Sequence, residues 1–519
     1  MCCYSFFPLI SIIEMSNHKK TAHRNKSNRY VNDLKRFAFS YGAVKSTRTT
    51  LMPFAIAAMF LVIAGVIGNM SLKVTSEDWA ILIAASIIGG YMALNIGAND
   101  VANNMGPAVG GKVLTVAGAV AIAAICESAG ALLAGGDVVK TVAKGIITPG
   151  ETVSIGMFRD LMLSALLAAA LWINLATYLN APVSTTHSIV GGVMGAGIVA
   201  SGFGVVNWVT MSKIGASWVI SPVFGGIVSA AFLFLIKVKI LNVKERNAAA
   251  RKWVPILIGV MAGAFSAYMS LKGLKKIWKP DVTTIIITAT IATAAFWLAS
   301  ISYVAKKAAK IGDRKKDIYG LFNLPLIMGV SLLCFAHGAN DVANAVGPLA
   351  AIVSTFSETS VAAKVGIPLW VMAIGAVGIA FGLLLFGPKL IHTVGDKITR
   401  LNAPRAYCVA IASAITVLIA TTLGLPVSST HIAIGAIFGI GFLREFMEDP
   451  NKKRRRPAHR INATAADAFQ NLDIRLKRKL VRRRFVVSIA TAWVITVPSS
   501  AILAGILFSA LQLLGPMVK

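Results

Sequence analysis

The chain has 519 residues, of which 56% are hydrophobic and only 14% charged, with a formal net charge of +30. A soluble domain would carry roughly a quarter charged residues, so a soluble fold is excluded. The basic residues sit in the N-terminal tail and in loops between apolar runs, a positive-inside pattern rather than a nucleic-acid footprint. The apolar runs are continuous and each is near the ~20 residues that span a hydrocarbon core, which excludes a β-barrel and sets the class as an all-α polytopic membrane protein.

In chain order, the stretch 1–14 is apolar but lacks a basic n-region, so no cleaved signal is expected. Residues 1–50 form a basic tail with nine Lys or Arg, expected on the cytoplasmic side. Thirteen crossings follow, at 51–72, 78–100, 113–135, 158–180, 188–206, 214–236, 253–272, 282–305, 321–341, 367–390, 405–424, 431–443 and 486–510. The twelfth is short enough to be a half-helix, so 12 to 13 spans are expected. The first is an extra helix ahead of a repeat at 78–236. Linking spans and basic loops fill 237–320, and a second repeat occupies 321–510, with a basic cytoplasmic insert at 444–485. The acidic link Val74 to Asp78 should lie outside, and the loops at 237–252, 306–316 and 452–484 inside. Lys272, Lys275, Lys276 and Lys279 break that pattern, because alternation places them outside. The five cysteines, Cys2, Cys3, Cys126, Cys334 and Cys408, make no metal or disulfide spacing and read as small core residues.

Two motifs each occur twice. Gly97-Ala-Asn-Asp-Val-Ala-Asn103 recurs at Gly338 to Asn344, and each copy is followed by Gly-Pro, at 106–107 and 347–348. Pro182-Val-Ser-Thr-Thr-His187 recurs as Pro426-Val-Ser-Ser-Thr-His431. The order is kept, with 87 residues from Asp100 to His187 and 90 from Asp341 to His431. Each half supplies five spans, so the repeats must be inverted. Inverted repeats with Gly/Pro-broken helices or re-entrant hairpins mark a secondary transporter.

On a helix, Asn99 and Asn103 share a face, as do Asn340 and Asn344, while Asp100 and Asp341 point about 100° away. Gly-Pro is expected to break each helix just beyond. Acids at membrane depth usually mark an ion or proton path. Asn99, Asp100, Asn340 and Asp341 are therefore candidate cation-coupling residues, with Na⁺ expected at Asp100 and Asp341. Interhelical hydrogen bonding is the plainer reading of the asparagines. The hydroxyls of Ser184, Thr185, Thr186, Ser428, Ser429 and Thr430 follow a break, where free helix N–H groups would join them in a neutral anion cradle. Asn103 and Asn344 are added as substrate contacts, and N-capping is the competing reading of the hydroxyls. His187 and His431 either hold the break in shape or carry protons. His337 ranks lower, because Ile96 occupies its place in the first motif. Glu127 has no acidic counterpart, its equivalent falling near Ile379, so its coupling or structural role is asymmetric. No Walker loop, nucleophile elbow or HExxH is present, which leaves no enzyme reading.

At these motifs, 97–107, 182–187, 338–348 and 426–431, the sequence resembles the inorganic phosphate transporter (PiT) family of secondary carriers. The resemblance runs over about residues 78–510 and implies an inverted-repeat helical fold that imports phosphate by Na⁺ or H⁺ symport with alternating access. It carries no cofactor beyond the coupling ion and leaves open whether a metal accompanies phosphate. A short basic insert points to a bacterial-type member in an inner membrane. A lipid bilayer is the expected surrounding, nucleic acid is not a partner, and a homodimer is allowed. A sulfate symporter of the same fold and an anion channel are the alternatives.

Overall fold

The computed structural model describes residues 51–72, 78–148, 153–179, 183–273, 280–356, 366–397, 401–447 and 484–518. The basic tail, most of the acidic link, Pro182, the lysines at 275, 276 and 279, and the body of the basic insert lie outside them. The chain divides into two units between Met59 and Phe60. The first is described only from Leu51, as the opening turns of helix α1 (Leu51–Ser71).

The remaining helices follow in order. The first repeat holds α2 (Trp79–Gly110), α3 (Val116–Ala134), short α4 (Gly136–Lys140), α5 (Ile155–Tyr178), α6 (Thr185–Ser201) and α7 (Trp208–Ile236). Between the repeats lie α8 (Arg246–Tyr268), α9 (Val282–Ala308) and short α10 (Lys315–Ile318). The second repeat holds α11 (Asn323–Ser354), α12 (Leu369–Lys397), α13 (Ala403–Thr422), α14 (Ser429–Met447) and α15 (Arg484–Val518). Among the described residues, twelve helices are long and apolar enough to cross a membrane. The missing thirteenth is α6, only 17 residues long.

The expected breaks at Gly106-Pro107 and Gly347-Pro348 are corrected by the structure. Helix α2 runs on through Pro107 and α11 through Pro348. Proline removes one donor and frees one carbonyl four residues back, that of Asn103 or Asn344. Tertiary burial on both sides of the proline outweighs that cost, since α11 is buried along almost all its length. The polar motif therefore sits in the middle of a long helix. The real interruptions are those after α5 and after α13, where the chain is extended through Val183-Ser184 and Pro426-Val427-Ser428 before a new helix begins.

The repeats interlock through glycines. A Cβ on Gly338 would run into the Glu127 backbone, and one on Gly97 into the Ile379 carbonyl. The same relation ties Gly130 to Phe335 and Gly382 to Leu94. These are equivalent contacts of the two halves, and they put Ile379 where the repeat spacing placed the counterpart of Glu127. Helix α3 runs parallel to α11, with Glu127 beside Gly338 and Gly135 beside Val342. The short turn 111–115 reverses the chain between α2 and α3, so α2 and α11, the motif helices, are antiparallel. Farther out, Gly435 of α14 meets Pro222 of α7, and Gly191 of α6 meets Val497 of α15.

Two ion pairs tie the helix ends. Arg159 of α5 lies 2.6 Å from Asp78 before α2 and donates from Nε to Thr355 after α11 at 2.7 Å. Lys272, an outlier of the charge pattern, lies 2.8 Å from Asp137, so its charge is matched locally. Helix α9, by contrast, is almost wholly exposed and apolar, with Ile286, Ile291 and Leu298 bare. In a bilayer that face meets lipid.

Candidate functional site

The two breaks bring α6 and α14 to the middles of α2 and α11. Ser184 caps α6, its Oγ accepting from the His187 amide at 3.2 Å, and Ser428 accepts likewise from His431 at 3.4 Å. Both serine hydroxyls thus perform the capping that competes with anion binding. Helix geometry leaves the first amides of each half-helix without intrahelical partners, with the positive dipole end behind them.

The remaining hydroxyls knit the halves together. Asn103 donates to Thr430 Oγ1 at 2.8 Å, and its repeat equivalent Asn344 donates to Thr186 Oγ1 at 3.1 Å. Each motif asparagine thus reaches the half-helix of the opposite repeat. Asp100 Oδ1 accepts from Thr430 at 3.1 Å, Asn99 at 3.0 Å and Asn103 at 3.3 Å. Thr185 Oγ1 lies 3.2 Å from Asp100 Oδ2 and 3.1 Å from Asp341 Oδ2. A hydroxyl has one proton, so it donates to one carboxylate at a time and bridges the two. Asp100 and Asp341 are each only 1% exposed. Ser429 is buried in the first turn of α14.

Asn99 and Asn340 are placed differently. Asn340 donates to Thr421 Oγ1 at 3.0 Å and the Leu425 carbonyl at 3.1 Å, and accepts from the Val427 amide at 3.1 Å. Asn99 accepts from Thr177 and donates to the Val183 carbonyl, each at 3.3 Å. These two asparagines clasp the segments that lead into α6 and α14. Besides that clasp, Asn99 touches Asp100.

His337 corrects the sequence ranking. Its Nδ1 lies 3.1 Å from Glu127 Oε2, and its Nε2 lies 3.3 Å from Asp341 Oδ2 and 3.6 Å from Asp100 Oδ2. These are ion-pair distances without hydrogen-bond alignment, as neither ring nitrogen meets an acceptor in line. Asn104 donates to Glu127 Oε1 at 2.9 Å, which completes a buried line from Asn104 through Glu127 and His337 to the aspartates. The repeat equivalents of Asn104, Glu127 and His337 are Ala345, Ile379 and Ile96, so the line exists on one side alone. Asp100, His337 and Asp341 bring their ligand atoms within 4.8 Å of one another.

Three acceptors at this site, Glu127 Oε2, Asp341 Oδ1 and Asn344 Oδ1, are buried with no hydrogen-bond donor among the described residues. Buried acceptors are normally satisfied. They are hard oxygens of the kind that holds Na⁺. The halves also differ in exposure. Asn340, Asn344 and Pro348 are buried, whereas Asn99, Asn103 and Pro107 are half-buried and Gly110 is exposed. The site is therefore covered along α11 and less so along α2.

A family model described as the phosphate transporter family matches residues 96–504. Two similar proteins carry the name putative phosphate permease. One, from Helicobacter pylori, is 41% identical over 90% of this chain and 97% of its own. The other, from Pyrococcus furiosus, is 33% identical over 84% and 97%. A solved structure described as the sodium-dependent phosphate transporter matches with a TM-score of 0.74 and 34% identity, covering 84% of this chain and 99% of its own.

Proposed function

The chain belongs to the phosphate transporter family, and on that premise we propose that it imports inorganic phosphate by symport with Na⁺ or H⁺ through alternating access. The observation that carries the proposal is that two buried carboxylates are bridged by Thr185 of one half-helix while Thr430 of the other donates to Asp100. The free amides, and the Thr185 and Thr430 hydroxyls once a cation takes their place on the carboxylates, offer neutral donors to a tetrahedral oxyanion. Asp100 and Asp341 would repel that anion at such range. A cation held by them turns repulsion into attraction, so anion and cation bind together or not at all.

The orphan oxygens Asp341 Oδ1 and Asn344 Oδ1 favour Na⁺ as the coupling ion. The Glu127–His337 line favours the H⁺ alternative, since both groups can carry a proton. Cation binding here draws on Asp100, Asp341 and Asn344, while Asn99 and Asn340 hold the breaks in shape. His187 and His431 serve the same shaping role. The unequal cover along α2 and α11 fits one of two alternating states, reached from the end where α2 finishes. The proposed setting is a bacterial inner membrane.

The test is uptake of labelled phosphate into proteoliposomes, first under a Na⁺ gradient alone and then under a pH gradient alone. Accumulation above the outside concentration with one gradient identifies the coupling ion. Equilibration without accumulation would make the protein a channel, and full competition by sulfate would reassign the anion.

A further inference from the structure

Helix α7 carries a tryptophan that touches both breaks. Trp218 stacks on His187, with ring centroids 3.8 Å apart and planes at 32°. His187 Nδ1 is in turn 2.6 Å from Ser184 Oγ, the cap of α6. On its other edge the indole Nε1 donates to the Pro426 carbonyl at 3.1 Å, in the extended segment that leads into α14. The next residue, Val427, is already held at both polar atoms. Its amide donates to Asn340 and its carbonyl accepts from Thr186 at 3.0 Å. His187 also lies edge-on to His431 at 5.0 Å. One side chain therefore braces the cap of one half-helix and the lead-in of the other.

The pattern around Trp218 recurs. Trp218-Val-Ile-Ser221 on α7 is matched by Trp493-Val-Ile-Thr496 on α15. The two stretches occupy equivalent places, as Pro222 meets Gly435 and Val497 meets Gly191.

We infer that Trp218 is a positioning residue for phosphate, which fixes the spacing of the two half-helix N-termini so that they act as one cradle. Indole serves this where Phe or Leu would not. Its flat face locks the imidazole, and its N–H satisfies a carbonyl that the extended segment leaves unpaired. The inference rests on the phosphate reading of the same site.

The test compares wild type with Trp218→Phe, full chain, in proteoliposomes and in detergent. Phe keeps an aromatic face and loses the N–H. The KM for phosphate rises about two- to tenfold, the range one neutral hydrogen bond sets, while the yield of monodisperse protein is unchanged. Phosphate also perturbs the intrinsic fluorescence of the wild type, and Trp218→Phe lacks most of that response. A filler role would lower thermal stability and leave both readouts alone. If Trp218→Phe fails to fold, Trp218→Tyr is read by the same two measurements, since its hydroxyl cannot stand where the indole N–H does. An unchanged KM for phosphate overturns the inference, whatever the fluorescence response. Wild-type protein that moves no phosphate overturns the transport reading instead.

Discussion

Replacing Thr185 by Val removes one hydroxyl and keeps the shape. That hydroxyl stands 3.2 Å from Asp100 and 3.1 Å from Asp341, and it also accepts from Asn344 at 3.4 Å. Val leaves two buried carboxylates without their shared donor. A hydrogen bond to a charged group contributes about 1.5 to 3 kcal/mol, so cation-driven phosphate uptake should fall roughly ten- to hundredfold. Thr185→Ser should retain most activity, because the hydroxyl returns. The assay is initial uptake of labelled phosphate by proteoliposomes matched for protein content, with gel filtration to show that the variant is folded. If Thr185→Val transports within twofold of wild type, the bridging role of this hydroxyl is wrong.

Three further outcomes are expected. His337→Phe leaves buried Glu127 with Asn104 but without its ionisable partner, a loss of about 3 to 5 kcal/mol for a broken buried pair, and uptake should become undetectable while a folded detergent-solubilised protein is retained. Asn103→Ala deletes the bond to Thr430 and should raise the KM for phosphate by about fivefold, one hydrogen bond's worth; Asn344→Ala also removes the oxygen assigned to the cation and should in addition raise the cation concentration needed for half-maximal uptake, and an unchanged cation dependence would contradict that assignment. Gly338→Ala drives a methyl group into the Glu127 backbone, an overpacking of about 1 to 3 kcal/mol, and should lower the thermal midpoint in detergent.

Repetition made the architecture legible. Two motifs recurring in order gave the inverted halves, and the spacing rule led to Ile379 as the partner of Glu127, where the glycine contacts place it. The hydroxyls and acids of the site are brought together as anticipated. Local rules failed where packing outvoted them. Pro107 and Pro348 read as breaks, but the buried surroundings of α2 and α11 keep both helices whole. Symmetry itself hid His337, because its equivalent is Ile96 and a residue without a repeat partner looked incidental. One signal could have exposed it. His337 precedes Asp341 by one helical turn, which puts both on one face. Trp218 was invisible in a long apolar run, since nothing in composition separates a brace from a membrane anchor.

The most direct measurement of the central claim is the steady-state phosphate content of sealed vesicles carrying wild type or the Asp100→Asn/Asp341→Asn double variant, under an imposed cation gradient. Wild-type vesicles should hold phosphate well above the outside concentration and lose it when an ionophore dissipates the gradient. The double variant, present and folded in equal amount, should hold none above background. Normal accumulation by the double variant would contradict the assignment of these carboxylates to coupling.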